Sequence, residues 1–511
     1  MPFPRSSGII LHPTSLPSPF GIGDLGRGAY EFVDFLAHSA QQIWQVLPLG
    51  PVSYGDSPYM TYSSMAGNPL LVSPEILVED GFLRPEDLAA YPKMPSDRVK
   101  YDEVSAAKRP LFQIAAHNFQ QSASPAQRQE FQAFCQEQAY WLDDYVFYMA
   151  YRESQGGKSW HLWDTPIANR HPEAIAQAKA GLESAIFYHT FLQYEFFRQW
   201  ANLKAYANQK GIQILGDIPI YVAHDSVDVW AHPDNYYLDR QTAEPELMAG
   251  VPPDYFSETG QLWGNPIYKW RRLELNGYDW WIQRFRATLT YVDLVRIDHF
   301  RAFAGFWIVE QGEDDARRGA WMPGPGERFF KVLRDKLGGL PIIAEDLGVI
   351  TPDVIELRDA FDFPGMKILQ FAFGEGRCDD YFPTNFPDEN CVVYTGTHDN
   401  DTTVGWFNKF EPQMQEDIMT GLETLYEEDV PDLRELGDHW VFIWLAMQSI
   451  ANQAIFPLQD ILGLDSEARM NTPSSMQGNW AWRFPAGALT SALGDRLREI
   501  TLQCNRGLPP A

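Results

Sequence analysis

Residues 292–298 read VDLVRID, a short run rich in apolar β-branched side chains that stops on a carboxylate. Two later stretches repeat the plan. Residues 341–346, PIIAED, carry Glu345, and residues 392–399, VVYTGTHD, end on Asp399. Runs of this kind are what parallel strands buried on both faces look like. In a parallel sheet all C-terminal strand ends lie on one face, so acids delivered one per strand meet there. Two carboxylates flanking a bond to a sugar are the usual equipment of glycoside chemistry.

Working outward from these runs, candidate strands fall at 8–11, 43–47, 212–215, 292–297, 340–344, 366–371, 391–394 and 454–456. Helical spacing occupies 29–42, 183–210, 280–289, 352–360 and 439–452. Gly211 stands where a helix-terminating glycine is expected. The gap between the sixth and seventh strands is short and poor in helix signal. Eight strands with intervening helices predict an α/β fold of the (β/α)8 TIM-barrel kind.

A minimal barrel takes about 250 residues, so much of this 511-residue chain must lie in insertions on the C-terminal face of the strands. Residues 70–182, between strands two and three, predict a mainly helical insertion; within it, 126–152 carries an apolar stripe suited to packing. Residues 220–275, between strands three and four, are rich in Pro, Gly, Tyr and Trp and predict loops over the reactive face. Residues 1–511 are therefore read as a single catalytic domain.

Net charge is −28, which opposes binding to nucleic acid or an anionic membrane because no basic excess can release counterions. The N-terminal MPFPRSSGIILHP lacks the apolar core of a signal peptide, and no apolar run is long enough to cross a bilayer. Cys135, Cys378, Cys391 and Cys504 are scattered and are read as free thiols. Together these predict a cytoplasmic protein. Aromatic residues make up 14% of the chain, more than a core alone calls for; flat rings in a groove would cover the apolar faces of sugars.

Arg296 precedes Asp298 by two, which puts both side chains on one face of the strand and keeps the aspartate ionised, as a nucleophile must be. A structural salt bridge is the plain alternative. Glu345 follows Ile342 and Ile343 and adjoins Asp346; an apolar setting and a second carboxylate both favour the neutral acid, a proton donor. Asp399 lies in GTHDND, just past a strand, and Asp217 in GDIPIY also follows one. The His398-Asp399 pair has a rival reading as metal ligands, but no further histidines at suitable spacing support it. No Walker loop, dinucleotide fingerprint or calcium loop is present, so no metal or cofactor is predicted.

GDIPIY, RIDHFR, AEDLG and GTHDND resemble the four signature blocks of the α-amylase clan. Their wording is similar to that of glycoside hydrolase family 77, the 4-α-glucanotransferases. GIILHPTSLPSPFGIGDLG, WQVLPLGP, YGDSPY, GVPPDYFSETGQLWGNPIY, FRAFAGFW, PLQDILGL, RMNTP and NWAWR extend the likeness in order along the chain. The resemblance implies a retaining transferase acting on α-1,4-glucans and malto-oligosaccharides. It implies Asp298 as nucleophile, Glu345 as general acid/base and Asp399 as the transition-state stabiliser. It implies substrate binding by Ser57, Tyr59, Asp217, Arg296, His299 and His398, by an aromatic loop with Tyr255, Phe256 and Trp263, and by Asn471. Met60 and Ser474 depart from the pattern, where Gln and Gly are expected.

Overall fold

The computed structural model describes residues 3–253, 257–374, 376–426, 436–473, 475 and 478–507. Eight strands run parallel: β1 (Ser6–Ile10), β2 (Ile43–Gln45), β3 (Gln213–Pro219), β6 (Leu294–Asp298), β9 (Ile342–Ala344), β10 (Gly365–Ile368), β11 (Cys391–Tyr394) and β12 (Gln453–Pro457). Their order, β10-β11-β12-β1-β2-β3-β6-β9, follows the chain once β9 and β10 are brought together. That junction is made by Ala344 N–H donating to Pro364 O at 2.9 Å. The result is a (β/α)8 barrel, with all eight strands where the apolar runs predict them.

Alternation along the strands sorts the side chains into two cores. Ile10, Ile43, Leu215, Leu294, Ile343, Val392, Tyr394 and Ile455 fill the interior. Ile9, Trp44, Ile214, Val295, Ala344, Val393 and Phe456 point outward and join the core beneath the surrounding helices. The helix Glu183–Gln209 ends as its sequence suggests, with Gly211 at φ +78° in the left-handed region. Between β10 and β11 the described residues form only short 3₁₀ turns.

Residues 70–182 contain the helices Tyr101–Ser122, Pro125–Glu137 and Ala139–Ser154, all packed on Glu183–Gln209. Phe131 meets Tyr194 at 5.4 Å between ring centroids, and Trp141 meets Phe197 at 5.8 Å. The stripe over 126–152 is thus used for packing, but on two helices rather than one. The chain breaks at Gln138 (φ −97°, ψ 4°), whose Oε1 accepts Trp141 Nε1–H at 2.8 Å. Residues 220–275 contain β4 (Leu247–Val251) and β5 (Gln261–Pro266). These join β7 (Gly305–Glu310) and β8 (Ala320–Pro323) in a four-stranded antiparallel sheet ordered β5-β4-β7-β8. The sheet rises from the loops that follow β3 and β6, above the C-terminal ends of the barrel. Among the described residues no helix is long and apolar enough to cross a membrane. All four cysteines are unpaired.

Candidate active site

The parity that fills the barrel also decides what reaches its mouth. Two residues past Leu215 and Leu294 come Asp217 and Arg296, and two past Ile343 comes Glu345. β3 and β6 pair with Asp217 opposite Arg296. The Arg296 guanidinium therefore spans two acids. Its Nη1 donates to Asp217 Oδ2 at 2.5 Å and its Nη2 to Asp298 Oδ1 at 2.9 Å. Tyr59 OH donates to the same Asp217 oxygen at 3.0 Å. Burial pushes the Asp217 carboxyl up to about 7; Arg296 opposes this and the Asp298 charge adds to it. Burial works against the charge on Arg296, but the two aspartates outweigh it and hold the guanidinium firmly protonated.

Glu345 is held differently. His299 N–H donates to its Oε2 at 2.6 Å and Leu347 N–H to its Oε1 at 2.9 Å. His299 sits in the left-handed region (φ 52°, ψ 49°), an uncommon backbone for a residue with a side chain. Burial pushes Glu345 up to about 7; Arg296 and the two N–H groups resist, and the Asp298 charge adds to the rise. The second carboxylate that matters is thus Asp298, not the sequence neighbour Asp346. Asp346 has outward parity and accepts Arg358 Nη1–H at 2.6 Å and Met366 N–H at 2.7 Å.

Asp399 lies past the end of β11. Asn471 Nδ2–H donates to its Oδ1 at 2.6 Å, and His398 Nε2 lies 3.4 Å from its Oδ2. The His398 ring stacks on Tyr59 at 5.1 Å and 15°. Burial lowers the basicity of both histidines, His299 to about 3, so both are neutral near pH 7. Trp263 meets the His299 ring edge to face at 4.9 Å. Ser57 Oγ accepts Tyr59 N–H at 3.3 Å. Tyr255 and Phe256 fall outside the described residues, as does Ser474. Met60 Sδ, at one of the two departures, accepts Asn265 Nδ2–H at 3.8 Å while that amide also donates to Val222 O at 2.8 Å.

Two residues escaped sequence reasoning as individuals. Arg469 donates through Nη2 to Asp399 O and through Nε to Asn471 O, at 2.6 and 2.8 Å, and so ties the acid to the loop that binds it. The Trp480 ring lies 5.5 Å from His398 and 5.8 Å from Tyr59. Both stand in blocks quoted above, RMNTP and NWAWR, but nothing in those blocks says which side chain turns inward.

The acids are not equally sheltered. Side-chain exposure is 30% at Asp298 and 46% at Asp399, whereas Glu345 is buried. The site sets one arginine-paired aspartate beside one buried carboxyl that burial pushes up to about 7. Such a pair can attack and protonate the two sides of one bond.

Sequence and structure comparisons identify the family. The profile of the family described as 4-alpha-glucanotransferase, glycoside hydrolase family 77, matches residues 11–490. The chain is 53% identical to a 4-alpha-glucanotransferase of Synechocystis sp., over 97% of each chain. It is 46% identical to that of Thermus thermophilus, over 98% of this chain and 99% of the relative. Among solved structures it is similar to the amylomaltase of Streptococcus agalactiae in complex with acarbose. That match has a TM-score of 0.91 and 38% identity, covering 99% of this chain and 100% of the other.

Proposed function

The chain belongs to the 4-alpha-glucanotransferase family, and we propose that Asp298, Glu345 and Asp399 divide the work of moving α-1,4-glucan segments between chains. The observation that carries the division of roles is the hold on Glu345: it hangs from the backbone N–H of the residue next to Asp298. One carboxyl group is thereby fixed beside the other.

Asp298, held by Arg296, attacks the anomeric carbon. Glu345 gives its proton to the departing glycosidic oxygen. The ester that forms neutralises the Asp298 charge. That charge is one of the causes raising Glu345, so its loss lowers the pKa of Glu345 and leaves the deprotonated group ready to act as base. The 4-hydroxyl of an incoming glucan or glucose then gives up its proton to Glu345 and displaces Asp298. Two inversions retain the α configuration. Asp399, oriented by Asn471, and Asp217 take sugar hydroxyls; Asp217 Oδ1 is buried and has no partner among the described residues. Tyr59, Ser57, His299, His398 and Trp263 are assigned to substrate binding beside the acids, and the family likeness assigns Tyr255 and Phe256, outside the described residues, to the same task. Transfer outruns hydrolysis when the acceptor is held in place, since positioning is worth an effective concentration of about 10⁵ M or more.

The substrates are α-1,4-glucans and malto-oligosaccharides, the chemistry needs no metal or cofactor, and the whole chain acts as one catalytic unit with two insertions. Unpaired thiols suit the cytoplasm. Incubation with maltotriose tests the reading: glucose and a ladder of longer oligosaccharides are expected, and shorter products alone would make the chain a hydrolase. Asp298→Asn is expected to lose transfer on the order of 10⁴-fold or more; full activity would end the nucleophile assignment.

A further inference from the structure

Arg301 lies three residues past Asp298 and is buried, yet no carboxylate is within ion-pair distance of it among the described residues. Its Nη1 donates to Val349 O, four residues past Glu345, and its Nε donates to Gly305 O at 3.4 Å. Its guanidinium carbon lies 4.0 Å from the centroid of the Trp321 ring. Trp321 stands on β8, directly opposite Trp307 of β7, and the two rings meet edge to face at 5.4 Å and 68°. The indole is thus fixed on one face by a cation and along one edge by a second indole. Even so, Trp321 is 44% exposed and Val349 56% exposed.

A large flat ring held rigid and left open to solvent is the feature to explain. Its contacts already immobilise it, so stacking a ligand there costs little further side-chain freedom. The cation beneath draws on the ring's negative face, and the outer face is left for a neutral partner with C–H groups to present. Position narrows the choice. Arg301 and Val349 belong to the loops that follow Asp298 and Glu345, so the platform is tied to the segments that carry both acids. β8 has four residues and ends at Pro323, a poor edge for pairing with another strand.

We propose that Trp321, with Val349 beside it, is a remote sugar-stacking site for the α-1,4-glucan chain whose reacting bond lies between Asp298 and Glu345. The inference rests on the glucan reading above and adds a contact that only a long chain reaches. Such a site makes the enzyme favour long chains over short ones without changing the chemistry at the acids.

Trp321→Leu keeps apolar bulk but removes the aromatic face, and Trp321→Phe keeps a face. Each is compared with the parent in the ratio of kcat/KM for amylose to kcat/KM for maltotriose. Each is also run by electrophoresis in gels containing soluble amylose, which reads binding without turnover. The leucine variant is expected to lower the ratio at least fivefold and weaken gel retardation at least threefold, while the phenylalanine variant recovers most of both. A leucine variant that matches the parent on both readouts overturns the proposal. So does an equal fall on amylose and maltotriose, which would make the indole a prop for Arg301. A change in molecular mass on size exclusion with both glucan readouts unmoved also overturns it, in favour of a contact between copies. Failure of the glucan reading itself is seen separately, as a parent that makes no ladder from maltotriose; gel retardation still decides the platform.

Discussion

Asp217, within β3, and Glu345, just past β9, both have inward parity, and both are pushed by burial to about 7. They are held by opposite means. Asp217 is gripped by side chains, Arg296 and Tyr59. Glu345 is gripped by two backbone N–H groups, those of His299 and Leu347. A side-chain grip brings full charge, because arginine can pair with two acids at once, and a single substitution can delete it. A backbone grip supplies dipoles alone and survives substitution of the residues that make it. The group read as binding sugar is therefore the one held by a partner of full opposite charge. The group proposed to gain and lose a proton is held by backbone dipoles instead.

The largest effect should come from taking the proton away. Glu345→Gln is expected to lower transfer from maltotriose on the order of 10³-fold or more. A burst of fluoride from maltosyl fluoride, whose leaving group needs no proton, should persist in that variant. Loss of both would make Glu345 a structural acid and end the acid/base assignment. Next, Arg296→Met leaves two buried or half-buried aspartates facing each other. It should cost about 3–5 kcal/mol in urea unfolding, while no substitution of the His299 or Leu347 side chain should approach that.

The pH dependence sharpens the contrast. Glu345 must be protonated to act as acid, so kcat/KM for maltotriose should fall as pH rises through about 7. With the folded value raised above 4.5, its share of stability is complete below about 4.5 and is lost as pH rises through 7. His299→Ala removes a ring but not the N–H on Glu345, so it should raise KM and leave that alkaline limb in place; a moved limb would show that the ring tunes the acid. The smallest change is expected from Tyr59→Phe, which removes one hydrogen bond to Asp217, worth about 1 kcal/mol in thermal or urea unfolding.

The barrel was legible because its strands are buried on both faces, and continuous apolar runs survive without knowledge of tertiary contacts. The charge logic at Asp298 was legible because Arg296 shares its strand. The partners of Glu345 were not, since they are backbone atoms and a left-handed turn at His299 that no residue type announces. Asp346 misled for a related reason: adjacency along the chain means opposite faces on a strand. The antiparallel sheet of β4, β5, β7 and β8 went unread because two of its strands lie on either side of β6, and its sequence is broken by Gly and Pro. The end of the long helical reading at Gln138 has no proline or glycine to mark it.

The junction of β9 with β10 has a consequence beyond closing the ring. Where a neighbouring strand would offer a carbonyl, Met366 N–H is met by the Asp346 carboxylate, itself anchored by Arg358. The barrel is stitched there by a side chain, one residue from Glu345. A hem fastened by a single side chain can be let out: replacing Asp346 would ease that one seam while the other seven stay sewn. Hydrogen exchange at Met366 should then rise first. Glu345, the proposed acid, thus sits beside the place where the wall of the barrel can give.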